Sequence, residues 1–360
     1  MLNFTVGPVM MNDEVRALGA EQVPYFRTAE FSAVMQESER LMLKLTGAPQ
    51  ESRAVFLTSS GTGAMEAVVM GTLDSSDKAL VIDGGSFGHR FCQLCELHHI
   101  PYQAIKPAFG HGVSEGDLAP FAGQGFTALL VNLDETSTGV LYDLPLLGRF
   151  CRENGMFLVV DAISAFLCDP IDMAASGVGV MLTGSQKALA CPPGASVVVL
   201  APPALERIGR IVPQTMYFDL RNALKNGERG QTPFTPAVGT MLQINLRLRQ
   251  VDAIGVEAEV AKVAAQAADF RQRVSSLPFS TVSLSPTNAV TPLEVAPDAD
   301  AHRIFELLKD EYGIWICPNG GELAHRVFRV GHIGNLTPAD NAALVGAFQD
   351  LLARGELGGR

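Results

Sequence analysis

Six short runs between about residue 54 and residue 201 are apolar at almost every position: RAVFLT, KALVID, TALLVNL, MFLVVDA, VGVMLTG and ASVVVLA. A strand with one face in water alternates apolar and polar side chains, and these runs do not alternate. They need cover on both faces, which a mostly parallel α/β sheet provides. The helical stretches TGAMEAVVMGTL and LPLLGRFCRENG fall between them, where crossover connections belong. The expectation is a mostly parallel sheet flanked by helices.

After QTPFTPAVG the pattern changes. Residues 241–277 carry a long helical periodicity, clearest in EAEVAKVAAQAADFRQRV. STVSLS, AHRIFELLKDEYG, WICPNGG and HRVFRVGHIG follow, shorter strands and helices that read as a smaller α+β domain. The expected division is an N-terminal segment (1–15), a large domain (16–245) and a small C-terminal domain (246–360). The net charge of −11, with Lys and Arg scattered, offers no electrostatic footprint for nucleic acid or an anionic membrane. The longest apolar stretch, MFLVVDAISAFLC, is interrupted by Asp161 and falls short of the ~18 residues of a membrane span. MLNFTVGPVM lacks a basic region followed by a long apolar run, and six cysteines without framework spacing suit reduced thiols. The cytoplasm is the expected compartment.

In an open α/β sheet, ligands bind beyond the carboxyl ends of the strands. Five of the runs end in chemically capable groups: SSGTG, GGSFGHR, DETSTGV, DAISA and GSQK. TSSGTGAMEA (58–67) follows a strand and opens a helix, where small residues and a helix N-terminus suit an anion such as phosphate. Ser60 and Thr62 add hydroxyls. The stretch matches neither a Walker loop nor a G-x-G-x-x-G fingerprint, and by itself it reads equally as a glycine-rich turn. Asp161 stands at the tip of a buried strand. Its carboxylate either caps the next helix or meets something positive, a protonated ring nitrogen or a metal.

Lys187 lies in LTGSQKALACPPG (182–194), at the mouth of a buried run rather than on an exposed helix face, one β-α-β unit after Asp161. Apolar surroundings and nearby cations lower a lysine's pKa and leave a nucleophilic amine for Schiff-base chemistry. A phosphate cradle, a carboxylate and a following lysine together match what pyridoxal phosphate requires.

At this point the chain resembles the class V, fold-type I aminotransferases, in particular the alanine–glyoxylate, serine–glyoxylate and 2-aminoethylphosphonate–pyruvate group. The resemblance runs from FTVGP (4–8) through SSGTGAMEA, FGHR (87–90), DETSTGV (134–140), VVDA (159–162) and GSQKALACPPG to FRVGHIG (328–334). It implies a large domain with a mostly parallel seven-stranded sheet, a smaller C-terminal α+β domain, and an N-terminal segment near the active site. It also implies a homodimer with shared active sites, taking a small amino donor and a keto-acid acceptor. Carried over residue by residue, Lys187 would be the Schiff-base lysine that shuttles the substrate Cα proton, and Asp161 would keep the ring nitrogen protonated. Phe87 would stack on the ring, and Thr136 would bond the ring hydroxyl region. Ser60, Gly61, Thr62 and Gln186 would hold the phosphate side, joined by Thr235 of the neighbouring subunit. Arg329 would clamp the substrate anion, with Gly7 beside the substrate. As a bare strand residue Arg329 reads as exposed; its place in FRVGHIG reverses that, and a planar guanidinium suits carboxylate and phosphonate alike.

Departures mark the substrate side. Phe87 gives stacking surface without a polar handle, and YFRTAEF (25–31) has Phe26 where relatives commonly carry histidine. Arg27 beside it reads as a second anion contact or a plain surface residue. RFCQLCELHH (90–99) groups Cys92, Cys95, His98 and His99, but on a helix Cys92 and His99 would stand roughly 10 Å apart along the axis, too far to share an ion. No metal is expected. A cysteine desulfurase shares the fold, but it usually has histidine where Gln186 stands, and a mobile-loop cysteine for which only Cys317 is available. A catalytically silent relative is the other alternative, and retention of Lys187 and Asp161 speaks against it.

Overall fold

The computed structural model describes residues 1–358. Seven strands form the large sheet: β1 (Arg53–Leu57), β2 (Ala79–Ile82), β3 (Tyr102–Ile105), β4 (Ala128–Asn132), β5 (Phe157–Asp161), β6 (Val178–Gly184) and β7 (Ser196–Leu200). Their order across the sheet is β1-β7-β6-β5-β4-β2-β3. Six point the same way, and β7 runs antiparallel to both its neighbours. The mostly parallel α/β sheet expected from the unbroken apolar runs is therefore present.

Helices cover both faces. On one, Leu129, Val131, Leu158 and Val160 pack with Met35, Leu41 and Met42 of helix Ala29–Leu45 and Ile244 and Leu248 of helix Val238–Ile254. On the other, Leu130, Val159, Leu182 and Val198 meet Met65, Val68 and Val69 of helix Gly61–Thr72 and Phe91 of helix Gly88–Leu97. Successive strand residues thus go to opposite cores, each buried large side chain contributing roughly 1.5–3 kcal/mol. β3 has no counterpart among the apolar runs. It is the edge strand, only Ile105 of its four residues is fully buried, and its pattern has no need of two-sided cover.

The helical stretch expected over 241–277 is two helices, Val238–Ile254 and Val256–Val274, broken at Gly255 with φ 89°. A positive φ costs glycine little, having no Cβ to clash. Residue 245, where the small domain is expected to begin, lies inside the first helix. Arg247 and Glu259 form a buried ion pair across the break.

The small sheet is antiparallel: β8 (Phe279–Thr281), β9 (Val290–Val295), β10 (Cys317–Pro318) and β11 (Val327–Gly331), in the order β8-β9-β11-β10. Helices Ala301–Tyr312 and Pro338–Ala353 bury Ile304, Leu308 and Phe348 against Phe328 and Val330. The chain's first residues belong here too: Leu2–Asn3 pairs in parallel with Ile314–Trp315, and Phe4 lies inside this core. From Phe4 the chain passes directly to the mouth of the large sheet. Among the described residues, no helix is long and apolar enough to cross a membrane.

Candidate active site

Lys187 follows β6 in a loop held by its own backbone. Ser185 N–H donates to Ala195 at 2.9 Å, Cys191 N–H to Ser185 at 2.9 Å, and Ala190 N–H to Lys187 at 2.8 Å. The Ser185 hydroxyl donates to the Pro192 carbonyl at 2.6 Å. These bonds turn the Lys187 side chain inward, where it is 9% exposed and its ammonium donates to the Val6 carbonyl. Burial pulls its pKa below the ordinary lysine value, Arg329 adds to the fall, and Asp134 and Asp161 oppose it. The result is an amine more easily freed of its proton than a surface lysine.

Asp161 ends β5, next to β6, and is buried. One oxygen accepts the Ile163 amide at 2.8 Å. Burial pushes its carboxyl up to about 7, while the Ile163 N–H and Lys187 hold it down. The other end of the site is the start of helix Gly61–Thr72. The Ser60 hydroxyl caps it, accepting from Gly63 at 3.4 Å, and the first N–H groups of such a helix have no intrahelical acceptor. Gly61 lets Ile163 pack close: a Cβ there would stand 2.2 Å from Ile163 Cδ1, and that side chain would have to turn away.

These elements enclose one cavity of ≈ 140 Å³, whose wall includes Ser60, Gly61, Thr62, Phe87, Thr136, Asp161, Gln186 and Lys187. A wider groove of ≈ 530 Å³ opens at the opposite ends of the strands beside Phe157 and Arg207, away from these groups. The smaller cavity holds the chemistry: a buried amine, a buried carboxylate and a helix N-terminus.

Comparison with known proteins decides what that combination belongs to. The family model for Aminotransferase class-V matches residues 23–331. The chain is a class V aminotransferase. It is 29% identical to the soluble hydrogenase, small subunit, of a Synechococcus strain, covering 98% of this chain and 92% of that one. It is 27% identical to the L-aspartate–glyoxylate aminotransferase of Paracoccus denitrificans, over 93% of this chain and 87% of that one. The solved structure of a subgroup IV aspartate aminotransferase from Thermus thermophilus superposes with a TM-score of 0.91 at 28% identity, covering 98% and 99% of the two chains.

Enzymes of this family work with pyridoxal phosphate, and the cavity of this aminotransferase fits it. Lys187 offers an amine, Asp161 a carboxylate and the helix N-terminus at Gly61 a set of N–H groups without intrahelical acceptors, the kinds of group that an aldehyde, a ring nitrogen and a phosphate each require. Asp134 lines the same cavity with both carboxyl oxygens buried and without a hydrogen-bond partner of good geometry, beside Lys187 and the Thr287 hydroxyl.

Of the remaining residues singled out from the aminotransferase's sequence, Arg329 comes from β11, and its guanidinium donates to the Pro318 carbonyl at 2.9 Å and to that of Thr136 at 3.5 Å. Its Nε is buried without a partner. Gly7 lies against Lys187: a Cβ would stand 2.9 Å from Lys187 Cδ. Thr235 is exposed and does not line the cavity of its own chain. Its neighbour Phe234 stacks on Tyr217, centroids 5.4 Å apart, and Tyr217 donates to the Thr58 carbonyl at 3.2 Å, which ties this loop to the end of β1. Arg27 serves that loop: it donates to Gln231 Oε1 at 3.1 Å and to the Thr232 carbonyl at 2.9 Å.

Four residues around the cavity were not among the sequence candidates. Glu135, fully buried, accepts from the amides of Phe87 at 3.2 Å, Gly88 at 2.9 Å and Ser137 at 3.2 Å, and from Asn132 Nδ2 at 3.0 Å. It fixes the loop that presents the Phe87 ring. Arg90 donates to Thr62 at 2.9 Å and lies 5.0 Å from the Phe87 centroid. Ser164 meets the Thr136 hydroxyl at 2.8 Å. Asp134 was readable from alternation alone, since in an extended chain it faces the same way as Thr136. The helix after Phe87 keeps Cys92 and Cys95 as free, buried thiols, and burial pushes Cys95 up to about 12. Cys92 groups with Asp83 and His89, ligand atoms within 4.8 Å, rather than with His99. The ammonium of Lys106 stands 3.7 Å from the same Asp83.

Proposed function

We propose that this enzyme moves an amino group from a small amino acid or 2-aminoethylphosphonate to pyruvate or glyoxylate, in a ping-pong sequence with Lys187 as the Schiff-base lysine. The observation that carries this reading is that Asp161, at the end of β5, and Lys187, in the loop after the adjacent parallel strand β6, line one cavity. The name of the Paracoccus relative, an aspartate–glyoxylate aminotransferase, supports glyoxylate as an acceptor.

Pyridoxal phosphate, when bound, supplies an electrophilic aldehyde and a ring that takes up an electron pair. Lys187 presents its amine from a buried wall, where with that amine free it would take the proton from the substrate Cα and give it to the carbon of the cofactor's aldehyde. Asp161, as a buried anion, keeps a proton on the ring nitrogen. Ser60, Gly61, Thr62 and Gln186 bind phosphate, and Phe87 bears on the ring face. Arg329 receives the acidic group of donor and acceptor in turn, so one guanidinium serves both halves of the exchange. The enzyme acts as a cytoplasmic homodimer, in which Thr235, unused in its own chain, reaches the partner's phosphate site.

The test is a panel of donors and acceptors read by the loss and return of the cofactor's yellow absorbance. Lys187→Ala should be without turnover, and full activity in that variant overturns the assignment. Cys317, the thiol that sulfur transfer would need, stands in β10 opposite Arg329. Sulfide release from L-cysteine would replace transamination with desulfuration.

A further inference from the structure

A second group of ligand-bearing side chains lies outside the cavity, where β2 hands the chain on to helix Gly88–Leu97. Cys92 stands too far along that helix from His99 to share an ion, but His89 is three residues away on the same face. Folding brings Asp83, the residue after β2, against that face. An Asp83 oxygen, a His89 ring nitrogen and the Cys92 sulfur then all lie within 4.8 Å of one another. The backbone fixes both sides: the Asp83 amide donates to the Ile105 carbonyl at 2.8 Å, and the His89 amide to the Gly85 carbonyl at 2.9 Å. His89 Nδ1 stands 3.3 Å from Asp83 Oδ2. Two ligands bonded at about 2.0–2.1 Å to one tetrahedral zinc ion stand roughly 3.3 Å apart, so this pair is already at coordination spacing. The sulfur, which bonds zinc at about 2.3 Å, has little more than about 1 Å to close. Cys92 is buried, the Asp83 carboxylate nearly so, and His89 is half-exposed, which leaves one side open to water.

We infer that Asp83, His89 and Cys92 form a binding site for a zinc ion, with water at the fourth position. The donor set selects the metal. A thiolate with an imidazole and a carboxylate suits zinc, whereas magnesium and calcium take oxygen ligands. Binding exchanges one bond for another: the Cys92 S–H gives its proton to solvent and the sulfur bonds the ion, with no change in oxidation state. Without the ion that thiol is protonated, since burial and then Asp83 push it up to about 11. The cation facing the acid in the structure is Lys106, its ammonium 3.7 Å from Asp83 Oδ2 on a side chain mostly in solvent. An incoming ion competes with that ammonium for the same oxygen, and so exposed a stem is free to swing away. The walls of the cofactor cavity include none of the three ligands, so this site is separate from it.

The test is a zinc titration of the full chain, dialysed free of metal, by calorimetry in two buffers of different ionisation heat. The pair of buffers counts the protons released per ion. The parent should bind one ion per chain at this site and release about one proton more per ion than Cys92→Ser does. Cys92→Ser and His89→Ala should each bind zinc at least about tenfold more weakly, for want of a ligand. Lys106→Gln should bind it about threefold or more tightly, a gain that misfolding does not imitate. Cys95→Ser, which removes the helix's other buried thiol, should match the parent. Binding of equal strength in the parent, Cys92→Ser and His89→Ala would place the ion on other groups. A parent that binds no zinc would show Asp83 and Lys106 to be a plain ion pair. Zinc held no more tightly by Lys106→Gln would show that the ion does not meet Asp83. Each of these overturns the inference.

Discussion

The Lys187 ammonium donates a hydrogen bond to the carbonyl of Val6, 181 positions away in the sequence. The strand Leu2–Asn3 and the buried Phe4 anchor the first residues in the core of the small sheet, so the Lys187 amine is held by a strap that starts in that core. The strap passes close enough that its composition is constrained.

Gly7 is where that constraint is tightest. Its φ of +127° is one that side-chain-bearing residues rarely adopt, and a Cβ would press on Lys187 Cδ at 2.9 Å and the Gln186 carbonyl at 3.0 Å. Gly7→Ala should destabilise the chain by about 1–3 kcal/mol from backbone strain. It should also displace the amine, so that aldehyde capture at Lys187 slows more than the stability loss explains. Urea unfolding and borohydride trapping of added pyridoxal phosphate measure the two effects; unchanged trapping would mean the strap does not position Lys187.

Asp161 links the site to pH. In the cofactor-free chain its carboxyl is raised to about 7. Between the usual carboxylate value and about 7 the folded chain therefore binds more protons here than the unfolded one. This contribution to stability is complete below the unfolded pKa and is lost as pH rises through 7. Lys187, lowered by burial, acts in the opposite direction in parent and variant alike. The melting temperature of cofactor-free Asp161→Asn, taken relative to the parent, should rise from pH 5 to pH 8. Loaded with cofactor, the same variant should turn over at least about 100-fold more slowly for want of the anion. A melting difference that does not change with pH contradicts the burial of an ionisable group at this position.

Glu135 holds the Phe87 loop by accepting the Phe87 and Gly88 amides, and its carboxylate also takes the Ser137 amide and hydroxyl and Asn132 Nδ2. In Glu135→Gln the side-chain NH₂ would face those donors and strand at least one of them. The expected cost is about 1–3 kcal/mol in urea unfolding, with weaker cofactor retention as the Phe87 ring shifts. An unaltered unfolding midpoint would show that the loop is held by something else.

Much of this was written locally. The runs from RAVFLT to ASVVVLA lack alternation because each residue of β4 to β7 is buried, and burial on both faces is a property of each position that composition records directly. The clustering of SSGTG, DAISA and GSQK after such runs places capable groups at strand ends, and parallel sheets gather strand ends. Lys187 and Asp161 were legible for that reason. β3 was not, because an edge strand with one open side loses the two-sided apolar signature. The direction of β7 was not, because an antiparallel strand buried on both faces has the same composition as a parallel one.

What the amino-acid order alone determined is which segments must be buried and where reactive groups interrupt them, since hydrophobicity and backbone freedom act within a few residues of themselves. Only the tertiary structure decided that Val6 meets Lys187, that Glu135 holds Phe87, that Arg27 serves the loop of Thr232, and that Asp134 is left without a hydrogen-bond partner of good geometry while Asp169 has several. Each of these is a contact or a missing contact between segments far apart along the chain. A charge or hydrogen bond is felt through space over a few ångströms, and the fold alone sets which groups come that near.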